Sequence, residues 1–267
     1  MNSGMLTYMD GKFGVTQAVR SDRLHTMEGS LLATDEGMRE LLDVYAPLMK
    51  ALDLGAAGAY ATGRLSSLCA AVQYMVAHDV LIDLSPERWR LELSWHEEGY
   101  CQFRYVLKEM RLLEGPDPGK REEWRERVLS GFYREQVGPF VEAVHRVSGM
   151  DTGHLWRLFP SRLRYAVDSF CSSAESSLLR EKYEDDWSFL TTKLEPEVFG
   201  RKRNPFDMEL RTVIYPGKPG EPDKTLWMKT ACCCYYRTEG GKFCYTCPRM
   251  SDREREERME ALRAEMV

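Results

Sequence analysis

The sequence has no run of ~20 consecutive apolar residues, the length a helix needs to span a bilayer. Its least charged stretch, 51–77, is broken by Arg64 and by several glycines and polar residues. The first residues, MNSGMLTYMDGKFGV, carry no basic segment followed by an apolar run. A secretory signal is therefore not expected, and a soluble, cytoplasmic protein with reduced thiols is. Excess positive charge is also lacking. The formal net charge of −5 argues against broad nucleic-acid binding and leaves room only for a local basic pocket. There is no P-loop, and Gly55, Gly58 and Gly63 do not form a dinucleotide fingerprint after a strand. No internal repeat is visible. At 267 residues and 43% hydrophobic content the chain can bury a core without disulfides, which excludes a small disulfide-held scaffold.

What is present is a mostly helical pattern. Residues 1–31 mix glycines and polarity and predict irregular structure or short strands. After Thr34, a suitable N-cap, Leu41, Leu42, Tyr45, Leu48 and Met49 recur at helical spacing. Leu65, Leu68, Cys69, Val72, Met75 and Val76 predict a second, nearly uncharged helix over about 63–78, with Cys69 a packing thiol. Two alternating runs, 89–95 and 100–106, flank Gly99 and predict a β-hairpin carrying Cys101, with His96 at its turn. Residues 121–147 read as helix, interrupted at Gly131 or Gly138 and ended by Gly149. Residues 154–170 read as a helix broken near Pro160. This stretch holds Arg157, Arg162 and Arg164, either a solvated face or a rim that receives anions, because guanidinium groups match carboxylates. A further helix over 173–194 precedes a basic run, Arg201-Lys202-Arg203, and two extended pieces, 209–215 and 225–231, separated by a Pro-Gly loop. Ser251 and Glu254 have capping-box spacing before a charged tail helix that uses Met259, Leu262 and Met266. The expected fold class is α+β: a mainly helical body over 1–227 with a small antiparallel sheet, and a cysteine-rich segment with a C-terminal helix over 228–267 packed against it.

Five of the eight cysteines lie within Cys232–Pro248, CCCYYRTEGGKFCYTCP. Thiolates are soft anionic ligands that gather at one centre. Cys244-Tyr245-Thr246-Cys247 is a C-x-x-C, which serves zinc knuckles, iron–sulfur clusters and dithiol redox sites alike. The pair follows a Gly-Gly loop rather than opening a helix in a βαβ unit, which disfavours the dithiol reading. Adjacent residues on a strand point to opposite sides. Neighbouring cysteines can therefore share a centre only on a bent backbone, or where the centre has more than one metal atom. A [2Fe–2S] rhomb offers two attachment points, whereas structural zinc prefers a gap within each ligand pair. Five thiols exceed the four ligands needed, and spacing alone leaves Cys233 and Cys234 both open.

The segment resembles the C-terminal motif of ferric-siderophore reductases of the FhuF type, in which a Cys-Cys pair, ten residues and a Cys-x-x-Cys follow one another. Ten residues separate Cys233 from Cys244. Tyr235-Tyr236-Arg237 and Gly240-Gly241 also resemble the family's connecting segment. The resemblance implies Cys232, Cys233, Cys244 and Cys247 as ligands of a [2Fe–2S] cluster. Cys234 stands where relatives commonly carry an apolar residue. Of the basic residues relatives carry before the pair, Lys229 remains, two residues further from it. The implied activity is one-electron reduction of Fe(III) in a siderophore of hydroxamate or citrate type, with Arg157, Arg162, Arg164 and Arg237 as candidate substrate contacts. The implied electron donor is a ferredoxin, a flavodoxin or a flavin/NAD(P)H reductase, with peripheral membrane contact left open. The competing reading is a zinc-stabilised binding or adaptor protein. A third is a protein that binds the siderophore and transfers no electron.

Overall fold

Ser3–Phe13 form a helix, α1, where the mixed polarity predicts irregular structure. The computed structural model describes residues 3–265. The helix forms because Met5, Met9 and Phe13 fall on one side and are buried in the body. Strand β1 (Val15–Thr16) follows directly, then β2 (His25–Glu28). Helix α2 (Asp35–Leu48) starts as expected at Thr34, whose Oγ1 accepts the Gly37 amide at 3.1 Å.

Helix α3 (Leu54–Ala77) begins nine residues ahead of the predicted start. Asp53 is its cap, accepting the Ala56 amide at 2.8 Å. The added turns are rich in alanine and glycine and carry no apolar stripe, because this helix is enclosed on nearly all sides and small residues let its neighbours approach. Cys69 is fully buried on it, and burial raises its thiol pKa.

A short pair, β3 (Leu81–Ile82) with β6 (Leu112–Leu113), brackets the predicted hairpin, β4 (Trp89–Trp95) and β5 (Cys101–Leu107). The main sheet has the order β1-β5-β4-β2. Its larger pairings are antiparallel, in line with the expected small antiparallel sheet, and the two-residue edge strand β1 runs parallel to β5. Gly14 permits that edge. It sits at φ 69°, its carbonyl accepts the Tyr105 amide at 2.7 Å, and a Cβ there would lie 2.8 Å from the Phe103 carbonyl oxygen.

The long helical stretch is α4 (Arg121–Phe132), a π-helical turn over Tyr133–Val137, and α5 (Gly138–Ser148). The register change ends at Gly138-Pro139, where proline has no amide to continue the α-helical ladder. Helix α6 (Thr152–Trp156) ends before Pro160, which opens α7 (Pro160–Ser173) at a first-turn position that needs no amide. Ser176 caps α8 (Ser177–Thr192). Asp186 on α8 is 1% exposed and holds two helices together. It accepts from Arg121 Nη1 and Nη2 at 3.0 and 2.8 Å and from Arg125 Nη1 at 2.8 Å.

The extended pieces are shorter than predicted and pair as β7 (Thr212–Tyr215) and β8 (Lys224–Trp227). Helix α9 (Asp252–Glu265) begins with the anticipated capping box: Ser251 Oγ accepts the Glu254 amide at 3.2 Å, and Glu254 Oε2 accepts the Ser251 amide at 2.8 Å. Met266, assigned to this helix from the sequence, lies outside the described residues. The result is a mixed α+β fold, mainly helical, with small sheets. Among the described residues no helix is long and apolar enough to cross a membrane.

Candidate metal centre

The cysteine segment is tied to the body at both ends. On the way in, Thr230 Oγ1 donates to the Arg157 carbonyl at 2.5 Å, and the Cys232 carbonyl lies 2.7 Å from His154 Nε2 on α6. On the way out, Arg237 pairs with Asp53 through Nη2 and Nε at 2.6 and 2.8 Å. Asp53 thus serves the α3 cap and the cysteine segment together. The Leu52 amide donates to the Arg237 carbonyl at 2.9 Å, adding a backbone tie.

Between these ties the chain bends. Cys234 is in the left-handed region, φ 60° and ψ 19°. The bend sorts the thiols. Cys234 packs with the core of the body, whereas Cys232 and Cys247 belong to a separate apolar group with Met250, flanked by Cys244, Tyr236 and Phe243. Cys247 Sγ and Cys232 Sγ are 3.6 Å apart. Lys229 Nζ donates to Cys233 Sγ at 3.2 Å and to Cys244 Sγ at 3.1 Å. Four thiols therefore lie as two pairs, one of them bridged by an ammonium group. Among the described residues no group of three or more His, Cys, Asp or Glu side chains is arranged to hold a metal ion.

The electrostatics differ across the five thiols. A hydrogen bond with Cys244 and burial push Cys233 up to about 12, with Lys229 opposing. The Cys232 thiol and then the Arg237 charge hold Cys234 down to about 7 against its burial. Ligation of any cation here has to displace protons from the paired thiols, so loading favours higher pH.

The C-x-x-C loop rests on α9. Arg255, a buried cation, donates through Nη2 to the carbonyls of Cys247 and Met250 at 3.2 and 3.1 Å, and through Nη1 to that of Tyr245. Arg258 Nη1 donates to the Phe243 carbonyl at 2.6 Å. The sequence gives α9 a charged face and a short apolar one, with nothing to mark Arg255 and Arg258. That two of its arginines cap a cysteine loop depends on how the helix folds back.

The four arginines singled out from the sequence are not brought together. Arg237 is the tie to Asp53. Arg164 is engaged by Asp168 at 2.8 Å through Nε and by Glu184 at 2.8 and 2.7 Å through Nη1 and Nη2, fastening α7 to α8. Arg157 borders a cavity of about 640 Å³ beside Arg201, Lys202 and Arg203. Of the four, Arg162 alone lines a cavity of about 710 Å³ between α1, α3, the β4–β5 hairpin and α7. Arg64, which the sequence shows only as an interruption of an apolar stretch, lines it too and stacks on Tyr100 at 4.6 Å. A second cavity of about 410 Å³ shares Arg64, Trp95 and Tyr100 with the first and reaches Tyr60 and Tyr235. Tyr60 and Arg162 both lie within electrostatic range of Cys233.

The Arg164 lock has a pH signature. Its hydrogen bonds hold the Glu184 carboxyl below the ordinary glutamate range. A depressed folded-state pKa stabilises above the unfolded value of about 4.3, and that contribution is lost as pH falls through the depressed value. Melting temperature should therefore drop more steeply between about pH 5 and 3 in the wild type than in Glu184→Gln. Parallel curves would show that the pair contributes nothing.

Models of known protein families give no match to this chain, and neither does a search of curated proteins.

Proposed function

We propose that this chain is a ferric-siderophore reductase that passes single electrons to chelated Fe(III), releasing iron as Fe(II). The observation that carries the proposal is the sorting of the thiols: two close pairs, Cys232 with Cys247 and Cys233 with Cys244, with Cys233 in electrostatic range of Arg162 at a cavity wall. Two thiol pairs suit a centre with two metal atoms better than a single ion, so the donor set fits a [2Fe–2S] cluster held by these four residues. When bound, such a cluster supplies a one-electron relay. The residues 228–267 then form the cluster-binding segment and 1–227 the body that receives the siderophore.

The remaining roles belong to the protein's own side chains. Lys229 places positive charge against Cys233 and Cys244 and favours their thiolate forms. Burial of Cys232, Cys233 and Cys247 limits water at the centre, and the His154 and Arg255 contacts fix the backbone carbonyls around it. The cavities beside Tyr60 and Arg64 supply aromatic faces and positive charge for an organic chelate. One electron enters from an external carrier and converts Fe(III) to Fe(II), which oxygen-rich chelators hold less strongly. No bond in the chelator breaks. Arg157, Arg201, Lys202 and Arg203 flank α6, whose His154 contacts the Cys232 carbonyl. That basic rim suits docking of an acidic carrier such as a ferredoxin or flavodoxin. A cytoplasmic setting follows from the same reading.

Anaerobic purification tests this. The expected protein is coloured, carries iron and acid-labile sulfide in equal amounts, and after chemical reduction is reoxidised by ferric siderophore. A colourless protein with one zinc and no sulfide would overturn the proposal, as would a reduced cluster that ferric siderophore leaves reduced.

A further inference from the structure

We infer that the cavity of about 710 Å³ is an anion site, and that Arg64 and Arg162 select a negatively charged, carboxylate-bearing iron chelate over a neutral trihydroxamate. The inference rests on the reductase reading for the iron and on the cavity itself for the charge.

Two arginines from different helices are turned into one space. Arg162 reaches it because residue 63 is glycine: a Cβ there would lie 2.8 Å from Arg162 Nη2 and 3.0 Å from its Cζ. Both side chains are half-buried. Among the described residues neither forms an ion pair with a carboxylate. The charged or ionisable groups around Arg162 are Cys233, Arg64, Tyr60 and Tyr45. Two guanidinium groups close enough to repel one another, partly withdrawn from water and without a carboxylate partner, are stabilised when an anion joins them.

Two other arginines in the cavity wall are matched by carboxylates. Arg104 on β5 is matched by Glu92 at 2.9 Å and Asp10 at 3.5 Å. Arg20 is matched by Asp22 at 2.7 Å. Of the two carboxylates in the cavity wall, Asp10 therefore faces Arg104, and Glu97 lies exposed on the hairpin turn. Lys12, exposed at the rim, also has no carboxylate partner among the described residues, so the unmatched charge that is half-buried is that of Arg64 and Arg162, and Arg162 lies within electrostatic range of Cys233. Planar, forked guanidinium groups bind carboxylates in pairs of hydrogen bonds. Reduction makes a chelate more negative by one charge. Cations at this position therefore stabilise the reduced form more than the oxidised one, and they do so most where the ligand's own carboxylates bring it to them.

Gallium(III) has the charge of iron(III) and does not accept the electron, so its complexes report binding alone. Titration calorimetry of the full-length protein with gallium(III) citrate should show saturable binding. The affinity should fall about tenfold in Arg64→Gln and in Arg162→Gln, further in the double variant, and also as salt is raised. A neutral gallium(III) trihydroxamate should bind more weakly and respond to neither change. Unaltered citrate affinity in an Arg64→Gln protein that melts like the wild type would overturn the inference. So would tight trihydroxamate binding indifferent to both arginines. Arg64→Gln decides the matter if Arg162→Gln does not fold. A protein that binds gallium citrate through Arg64 yet assembles no cluster would remove the reductase reading and leave the anion site standing. A cluster-bearing reductase indifferent to both arginines would do the reverse.

Discussion

Replacing Cys233 with alanine is expected to remove most of the iron and sulfide from the purified protein, whereas Cys234→Ala keeps both. The two residues are neighbours with the same chemistry, so only their placement separates them. Cys233 Sγ shares the Lys229 ammonium with Cys244, at 3.2 and 3.1 Å. Cys234 has turned through a left-handed backbone conformation and packs into the body. Its depressed pKa, about 7, gives it substantial thiolate character without a metal, through Cys232 and Arg237. It is therefore the thiol that ligand chemistry alone would choose, and the one that geometry turns away. Iron and sulfide determinations on both variants, prepared anaerobically, decide between the two. Equal loss in both would show that the bend does not select the ligands.

The second large effect is on stability. Asp186→Ala should destabilise the fold by about 3–5 kcal/mol, because it leaves two arginines without the buried carboxylate that joins them. Asp186 is 1% exposed, and Arg125 is 6% exposed at its side chain. Arg121 retains Asp79 at 2.6 Å and Arg125 retains Asp185 at 2.5 Å, which keeps the loss toward the lower end of that range. For a chain of this length the melting temperature should fall by about 10 °C. Asp185→Ala is the control. Its carboxylate is 65% exposed, and loss of so exposed a partner should cost about 1 kcal/mol or less. Similar melting temperatures for the two variants would show that burial is not what gives Asp186 its weight.

These features differ in how far the sequence reveals them. Thr34, Pro160, the Ser251–Glu254 box and the hairpin around Gly99 are legible because each acts over a few residues, where capping, amide loss and alternation leave local marks. The first turns of α3 are not, because their burial comes from neighbours on nearly all sides and leaves no stripe, and α1 shows its buried side through only three residues, Met5, Met9 and Phe13, set among glycines and polar residues. Within the candidate site, the crowding of cysteines is plain, but the departure of Cys234 is a backbone angle. Arg64 is the clearest omission. In sequence it is a charge breaking an apolar stretch. Its partner Arg162 is ninety-eight positions later, and the two share a space only because Gly63 leaves room. Arg164, read with its neighbours as part of either a solvated face or a receiving rim, and Arg237, a candidate through the family resemblance, have charges engaged by Asp168, Glu184 and Asp53, which no local pattern foretells.

The double duty of Asp53 bears on the order in which the molecule assembles. Its bond to Arg237 joins positions 184 residues apart, among the most distant partners in the chain. Closing so long a span costs entropy that only an already formed framework can offset, and contacts of this separation come late in folding. Helix α3 has to be in place, with its capping carboxylate presented, before the far end of the chain has anything to grip. Docking of the cysteine segment against α3 therefore follows formation of the body, and on the proposed reading a system that delivers metal would meet a body already folded.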